Sequence, residues 1–208
     1  MKNTVYLYIF DTMADWEVGY LTAELNSGRY FKKGQKPLKI LTMSNTKEAI
    51  VTMGGLRIVP DIEIDKFYMN DAAALILPGG NTWTDQIHNL VLSIAEKCLN
   101  NGTIVAAICG ATIGLARVGL LNQKYHTSND IEFLKMICPN YIGEKYYKIE
   151  TAVVDENLIT ASGIAPLDFT VHVLRKLDVF LPEVLDSWQQ LYKTHDSKYF
   201  FEIIQLIK

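Results

Sequence analysis

The chain has 208 residues, 49% hydrophobic and 21% charged, which suits one soluble α/β domain with a substantial core. A formal charge of −3 without a basic cluster argues against nucleic acid as a partner, and no apolar run reaches the length of a membrane span. Three cysteines, Cys98, Cys109 and Cys138, lack metal-type spacing and are odd in number; the expectation is a reduced, cytoplasmic protein with no signal peptide, disulfide framework or metal.

Val5 to Phe10 is a continuous apolar and aromatic run, the pattern of a strand covered on both faces. Asp11-Thr12 opens a predicted helix through about Leu25, stopped by Asn26-Ser27-Gly28. A second buried strand is expected over Leu38 to Ser44. A hairpin follows, Ala49 to Met53 and Leu56 to Val59, turning at Gly54-Gly55. Ala73 to Leu77 reads as a core strand ending in Pro78-Gly79-Gly80, with a helix from about Asp85 to Asn101 behind it. Next come the strand Thr103 to Ile108, Cys109, and a helix ending near Gly119. His126 to Ser128 reads as a short strand before a helix from Asp130 to about Ile137. Tyr147 to Val154 and Leu158 to Ala161 form a second predicted hairpin, and Pro166 to Leu177 is helical.

Alternation of strands and helices through short loops predicts a mostly parallel sheet between helical layers. Two further helices are expected within 179–208. Pro182 starts one carrying Val184, Leu185, Trp188 and Leu191 on one stripe, and Asp196 caps the other. Their apolar faces pack onto the parent domain or form a subunit interface. No repeat or linker divides the chain.

The chemistry concentrates at Cys109. An apolar strand runs into it, and a small-residue helix starts at Gly110, so the cysteine falls on a sharp strand-to-helix turn. A free thiol with a pKa near about 8.5 is roughly 3% thiolate at neutral pH. Helix N–H groups beneath the sulfur favour the anion, so a lowered pKa is expected. The amides of Gly80 and Gly110 are candidates for an oxyanion hole. Glu17 is the candidate acid: ionised it repels a thiolate, protonated it donates to one, so a raised carboxyl pKa is expected if it reaches the site. His126 is a third candidate, for proton transfer; standing alone, it also suits a structural role. His88, His172 and His195 read as surface or core residues. Leu115 stands where a cysteine phosphatase loop needs arginine, and neither a dinucleotide fingerprint nor a Walker lysine is present.

Ala106-Ala107-Ile108-Cys109-Gly110, Leu77-Pro78-Gly79-Gly80, the early Glu17, and Gly119-Leu120-Leu121 leading to Thr127-Ser128 occur together in order. In these the chain resembles the PfpI superfamily, the class I glutamine amidotransferase-like group that includes the parkinsonism-associated deglycase, over roughly residues 4–178. The resemblance implies a flavodoxin-like three-layer sandwich and a homodimer or larger homo-oligomer. It also implies a nucleophilic Cys109, a protonated Glu17 bonded to it, and Gly80 and Gly110 as oxyanion donors. Peptidase-like relatives carry histidine directly after the nucleophile, where this chain has Gly110. Glutamine amidotransferases carry a late His-x-Glu pair, and Ala161 to Asp168 contains no histidine. The resemblance therefore implies a cofactor-free cysteine hydrolase of the PfpI type, an intracellular protease by family, acting on a small-molecule or peptide substrate. Alternatives are glyoxalase, deglycase or hydratase chemistry, or a cysteine redox sensor without turnover.

Overall fold

The computed structural model describes residues 2–207. Seven strands form one sheet in the order β5-β2-β1-β6-β7-β9-β8. These are β1 (Thr4–Tyr8), β2 (Lys39–Ser44), β5 (Ile62–Glu63), β6 (Ala72–Leu77), β7 (Ile104–Ile108), β8 (Ala152–Asp155) and β9 (Leu158–Ala161). All neighbours run parallel except β8 against β9. The short hairpin β3 (Ile50–Val51) and β4 (Arg57–Ile58) stands apart as a two-stranded sheet. Helices α1 (Gly19–Ser27), α2 (Asn89–Asn100), α3 (Gly110–Arg117), α4 (Ile131–Ile137) and α5 (Pro166–Leu177) flank the large sheet. This is a flavodoxin-like α/β fold.

Strand burial follows the sequence. Every residue of β1 and β7 is buried, as their unbroken apolar runs require of strands with helices on both faces. Chain order reverses between β1 and β6, because β2 leaves β1 on one side and β6 pairs on the other. In such sheets a crevice opens at the carboxyl ends of the strands beside the reversal. β1, β6, β7 and β9 all end there.

Several expected elements start late or shrink. The first helix begins at Gly19 rather than near Asp11. The Val51 amide donates to Asp11 Oδ1 (2.7 Å), the Thr12 amide to the Val51 carbonyl (2.9 Å), and the Met53 amide to the Met13 carbonyl (2.8 Å). The hairpin thus holds residues 11–13 away from helix, and only a 3₁₀ turn, Asp15–Glu17, precedes α1. β2 is only half-covered along most of its length, and the small strand β5, absent from the sequence reading, pairs on its outer side. His126 to Ser128 is not a strand; it contributes one isolated bridge, His126 to Tyr147. The second hairpin keeps its place but starts at Ala152 rather than Tyr147.

The two late helices form as expected, α6 (Pro182–Thr194) and α7 (Lys198–Leu206), with Asp196 Oδ1 accepting from the Lys198 amide at 2.9 Å. α6 packs on the parent domain. Trp188 is fully buried, meets Tyr20 and Tyr192 edge-on or tilted, and donates from Nε1 to Glu24 Oε1 at 3.0 Å. Arg29 pairs with the same carboxylate, so the buried Glu24 charge is compensated. Trp188→Ala should lower the unfolding free energy by about 3–5 kcal/mol in denaturant titration, through the cavity and the lost Glu24 donor. Phe201→Ala, on the exposed side of α7, should stay within about 0.5 kcal/mol of the parent.

Candidate active site

Cys109 sits between β7 and α3 with φ 58° and ψ −125°, outside the regions that residues with a side chain favour. Holding a residue there costs on the order of 1–3 kcal/mol, and the surroundings over-determine it. Its amide donates to the Ala161 carbonyl at the end of β9 (2.9 Å), and its carbonyl accepts from Thr112 Oγ1 (2.6 Å). The sulfur is therefore lifted from the sheet edge and remains partly exposed, whereas Cys98 and Cys138 are buried.

Glu17 reaches this point from the 3₁₀ turn after β1. Its side chain is fully buried, and Oε2 accepts from the Gly79 amide at 2.5 Å. Oε1 is buried and lacks a partner of hydrogen-bonding geometry among the described residues. A methyl group placed on Gly79 would lie 2.6 Å from Cys109 Cβ and 2.7 Å from Glu17 Oε1. One on Gly163 would lie 2.7 Å from the sulfur and 3.2 Å from Oε1. Carboxyl and thiol are thus packed together, and only glycine fits at either position.

Burial raises the Glu17 carboxyl from its ordinary 4.5 to about 7, with the Gly79 amide and the thiol contact pulling the other way. Cys109 does not show the lowered pKa expected of it. Burial pushes the thiol up, an ionised Glu17 adds to this, and the Asn129 amide and Gly110 N–H oppose it. When Glu17 holds its proton the repulsion disappears and the carboxyl becomes a donor.

Gly80 and Gly110 lie close together. A methyl group on Gly110 would lie 2.8 Å from the Gly80 carbonyl oxygen and 3.4 Å from its amide nitrogen. Among the described residues no acceptor takes the Gly80 amide. His126 does not join them. Its ring is fully buried, Nδ1 donates to the Lys124 carbonyl (2.6 Å), and Nε2 accepts from the Tyr141 hydroxyl (2.6 Å). With both nitrogens engaged and the pKa lowered by burial, it is a neutral structural residue. His88 is likewise core, bonded to Tyr8 and Thr82 and stacked on Trp83.

The place at the sulfur belongs to Asn129, which the sequence reading missed. Nδ2 donates to Cys109 Sγ at 3.3 Å, and Oδ1 accepts from the Gly163 amide at 2.8 Å. The Gly163 carbonyl accepts from Trp16 Nε1 at 3.3 Å. Gly163 had a legible signal: Ser162-Gly163 follows β9 much as Pro78-Gly79-Gly80 follows β6. Asn129 had none, standing unmarked before a helix cap. Among the described residues no group of three His, Cys, Asp or Glu side chains is placed to hold a metal ion, and no helix is long and apolar enough to cross a membrane.

Fold and site together define a flavodoxin-like α/β protein with a cysteine elbow at the carboxyl ends of its strands. The chain belongs to the DJ-1/PfpI family, whose model matches residues 3–176. The uncharacterized protease YoaZ of Bacillus subtilis (strain 168) is 56% identical over 203 residues, 98% of this chain and 97% of that protein. The crystal structure of a thiJ/pfpI family protein from Bacillus anthracis is 54% identical, with a TM-score of 0.97 over 100% of this chain and 98% of the other. The DJ-1 superfamily protein Atu0886 from Agrobacterium tumefaciens is 28% identical, with a TM-score of 0.80 over 93% of this chain and 98% of that one.

Two measurements check the carboxyl–thiol pair. Followed by thiolate absorbance, Cys109 of Glu17→Gln should titrate lower than that of Glu17→Ala, because the amide donates without charge and alanine donates nothing. Equal values would mean that no donor at position 17 reaches the sulfur. The second is stability against pH. The folded chain holds the Glu17 proton up to about pH 7 while the unfolded chain releases it near 4.5, so this contribution is present at low pH and lost as pH rises through 7. The stability of Glu17→Gln relative to the parent should therefore increase between about pH 5 and about pH 8, by on the order of 3 kcal/mol.

Proposed function

We propose that the protein is a cysteine-dependent hydrolase whose Cys109 attacks the carbonyl carbon of a small electrophile. The observation that carries this reading is the full burial of Glu17 against Cys109, with Asn129 and, among the described residues, no imidazole at the sulfur. A protonated Glu17 lets the thiolate form beside it without like-charge repulsion. The sulfur forms a C–S bond, and the carbonyl π pair moves to oxygen, where the Gly80 and Gly110 amides stabilise it. Glu17 gives its proton to the departing group as the tetrahedral intermediate collapses, and the electron pair of the broken bond leaves with that group. Water then adds to the thioester, gives a proton back to Glu17, and releases the acid and the thiolate.

The missing imidazole favours small, activated carbonyls over peptide amides. An amine leaving group must be protonated as it departs, and among the described residues a buried carboxyl titrating near 7 is the only acid placed at Cys109. Purified protein assayed against small activated esters and thioesters and against unstructured peptides should hydrolyse the small acyl compounds and leave the peptides intact. Cys109→Ser should lose at least about a hundredfold in kcat/KM, and Glu17→Ala about ten- to a hundredfold. Activity unchanged in Cys109→Ser would remove the sulfur from the chemistry.

A further inference from the structure

Two clefts meet at the sulfur. One, of about 400 Å³, has the Gly80 and Gly110 backbone on one side and Trp83, Ile113, Phe133 and Ile137 around it. The other, of about 460 Å³, lies against Glu17 and is walled by Trp16, Ile164 and Pro166. Among the described residues only Cys109 and Asn129 line both.

The lining lacks charge partners. No lysine, arginine or histidine is among these residues, and the one ionisable group besides the thiol is Glu17, already engaged by the Gly79 amide. Arg117 is committed to the Thr84 and Asp85 carbonyls and Asn89 Oδ1 and does not line either cleft. Asn129 donates to the sulfur and accepts from the Gly163 amide, and as a neutral amide it brings no charge to the clefts. A charged substituent entering here gives up hydration and receives no ion partner.

The apolar walls offer the opposite. Trp83 is held by Nε1 donating to the Pro78 carbonyl (2.9 Å) and stacks on His88 at 4.5 Å between ring centres and 25° between planes. That wall is rigid before anything binds. Phe133 is 43% exposed, and across the sulfur Trp16 and Ile164 are 53% and 91% exposed, apolar area that a ligand would cover.

We propose that this site selects uncharged, apolar electrophiles: carbonyl compounds whose substituent is an aromatic or branched aliphatic group seated on the exposed Phe133, in a cleft whose wall the buried Trp83 makes rigid. Anionic and cationic analogues of the same compound are rejected. The assignment rests on Cys109 being the nucleophile.

The test uses three thiosulfonates with one reactive head: benzyl, sulfonatoethyl and trimethylammonioethyl methanethiosulfonate. The thiolate attacks the sulfenyl sulfur, an S–S bond forms, and methanesulfinate leaves with the electron pair. Rates on the intact protein are read by mass, located by peptide mapping against Cys109→Ser, and divided by each reagent's rate with a free small thiol. The benzyl arm should react at least about tenfold faster than either charged arm. Phe133→Arg, with folding checked by circular dichroism, should raise the sulfonatoethyl rate relative to benzyl by about tenfold. Charged arms that match or exceed benzyl, with Cys109 labelled, overturn the selectivity and leave the nucleophile standing. No labelling of Cys109 by any reagent overturns the nucleophile reading and the selectivity with it.

Discussion

At Glu17 a carboxyl group has been taken out of water and set against a thiol, and the rest of the site accommodates that choice. A buried carboxylate without a cation is costly, so the acid keeps its proton to about pH 7. Among the described residues it receives one hydrogen bond, from the Gly79 amide. A lysine or arginine nearby would have favoured the ionised acid, whose charge repels a thiolate. The absence of charge from the cleft walls and the high carboxyl pKa thus have one physical origin.

Backbone geometry enforces the contact. Glycines at positions 79 and 163 let two strand-end loops close over the carboxyl and the sulfur, where any side chain would collide. The unfavourable backbone of Cys109 is held by the Ala161 carbonyl on one side and Thr112 on the other. Glu17 is placed by a different device. The β3–β4 hairpin ties down residues 11–13, and the Gly54 amide donates to Asp15 Oδ2 at 2.6 Å. A continuous helix from Asp11 would have placed Glu17 differently relative to the sheet edge.

Asn129 changes what the site can do relative to a cysteine–histidine arrangement. An amide donates to a thiolate but cannot accept its proton, and in the proposed reaction the proton transfers are assigned to Glu17. His126 meanwhile acts as mortar, joining Lys124 and Tyr141 beneath the segment that carries Asn129. The C-terminal helices serve the scaffold too, with α6 covering α1 through Trp188 and Glu24.

Much of this was legible in the residues themselves. Unbroken apolar runs marked β1, β6 and β7, Gly28 and Pro166 marked helix ends, and the turn at Cys109 followed from a strand meeting a helix without a spacer. Those features are local, set by side-chain size, periodicity and backbone freedom within a few residues. What needed the tertiary structure was everything set by distant partners. Hairpin bonds to residues 11–13 overrode a plausible helix, and two ring partners drew His126 into the core. Asn129 was brought to the sulfur by a loop anchored on Gly163, and burial moved the thiol pKa opposite to the helix-terminus expectation. Desolvation and hydrogen-bond satisfaction depend on what surrounds a group in three dimensions, and sequence spacing carries no record of that.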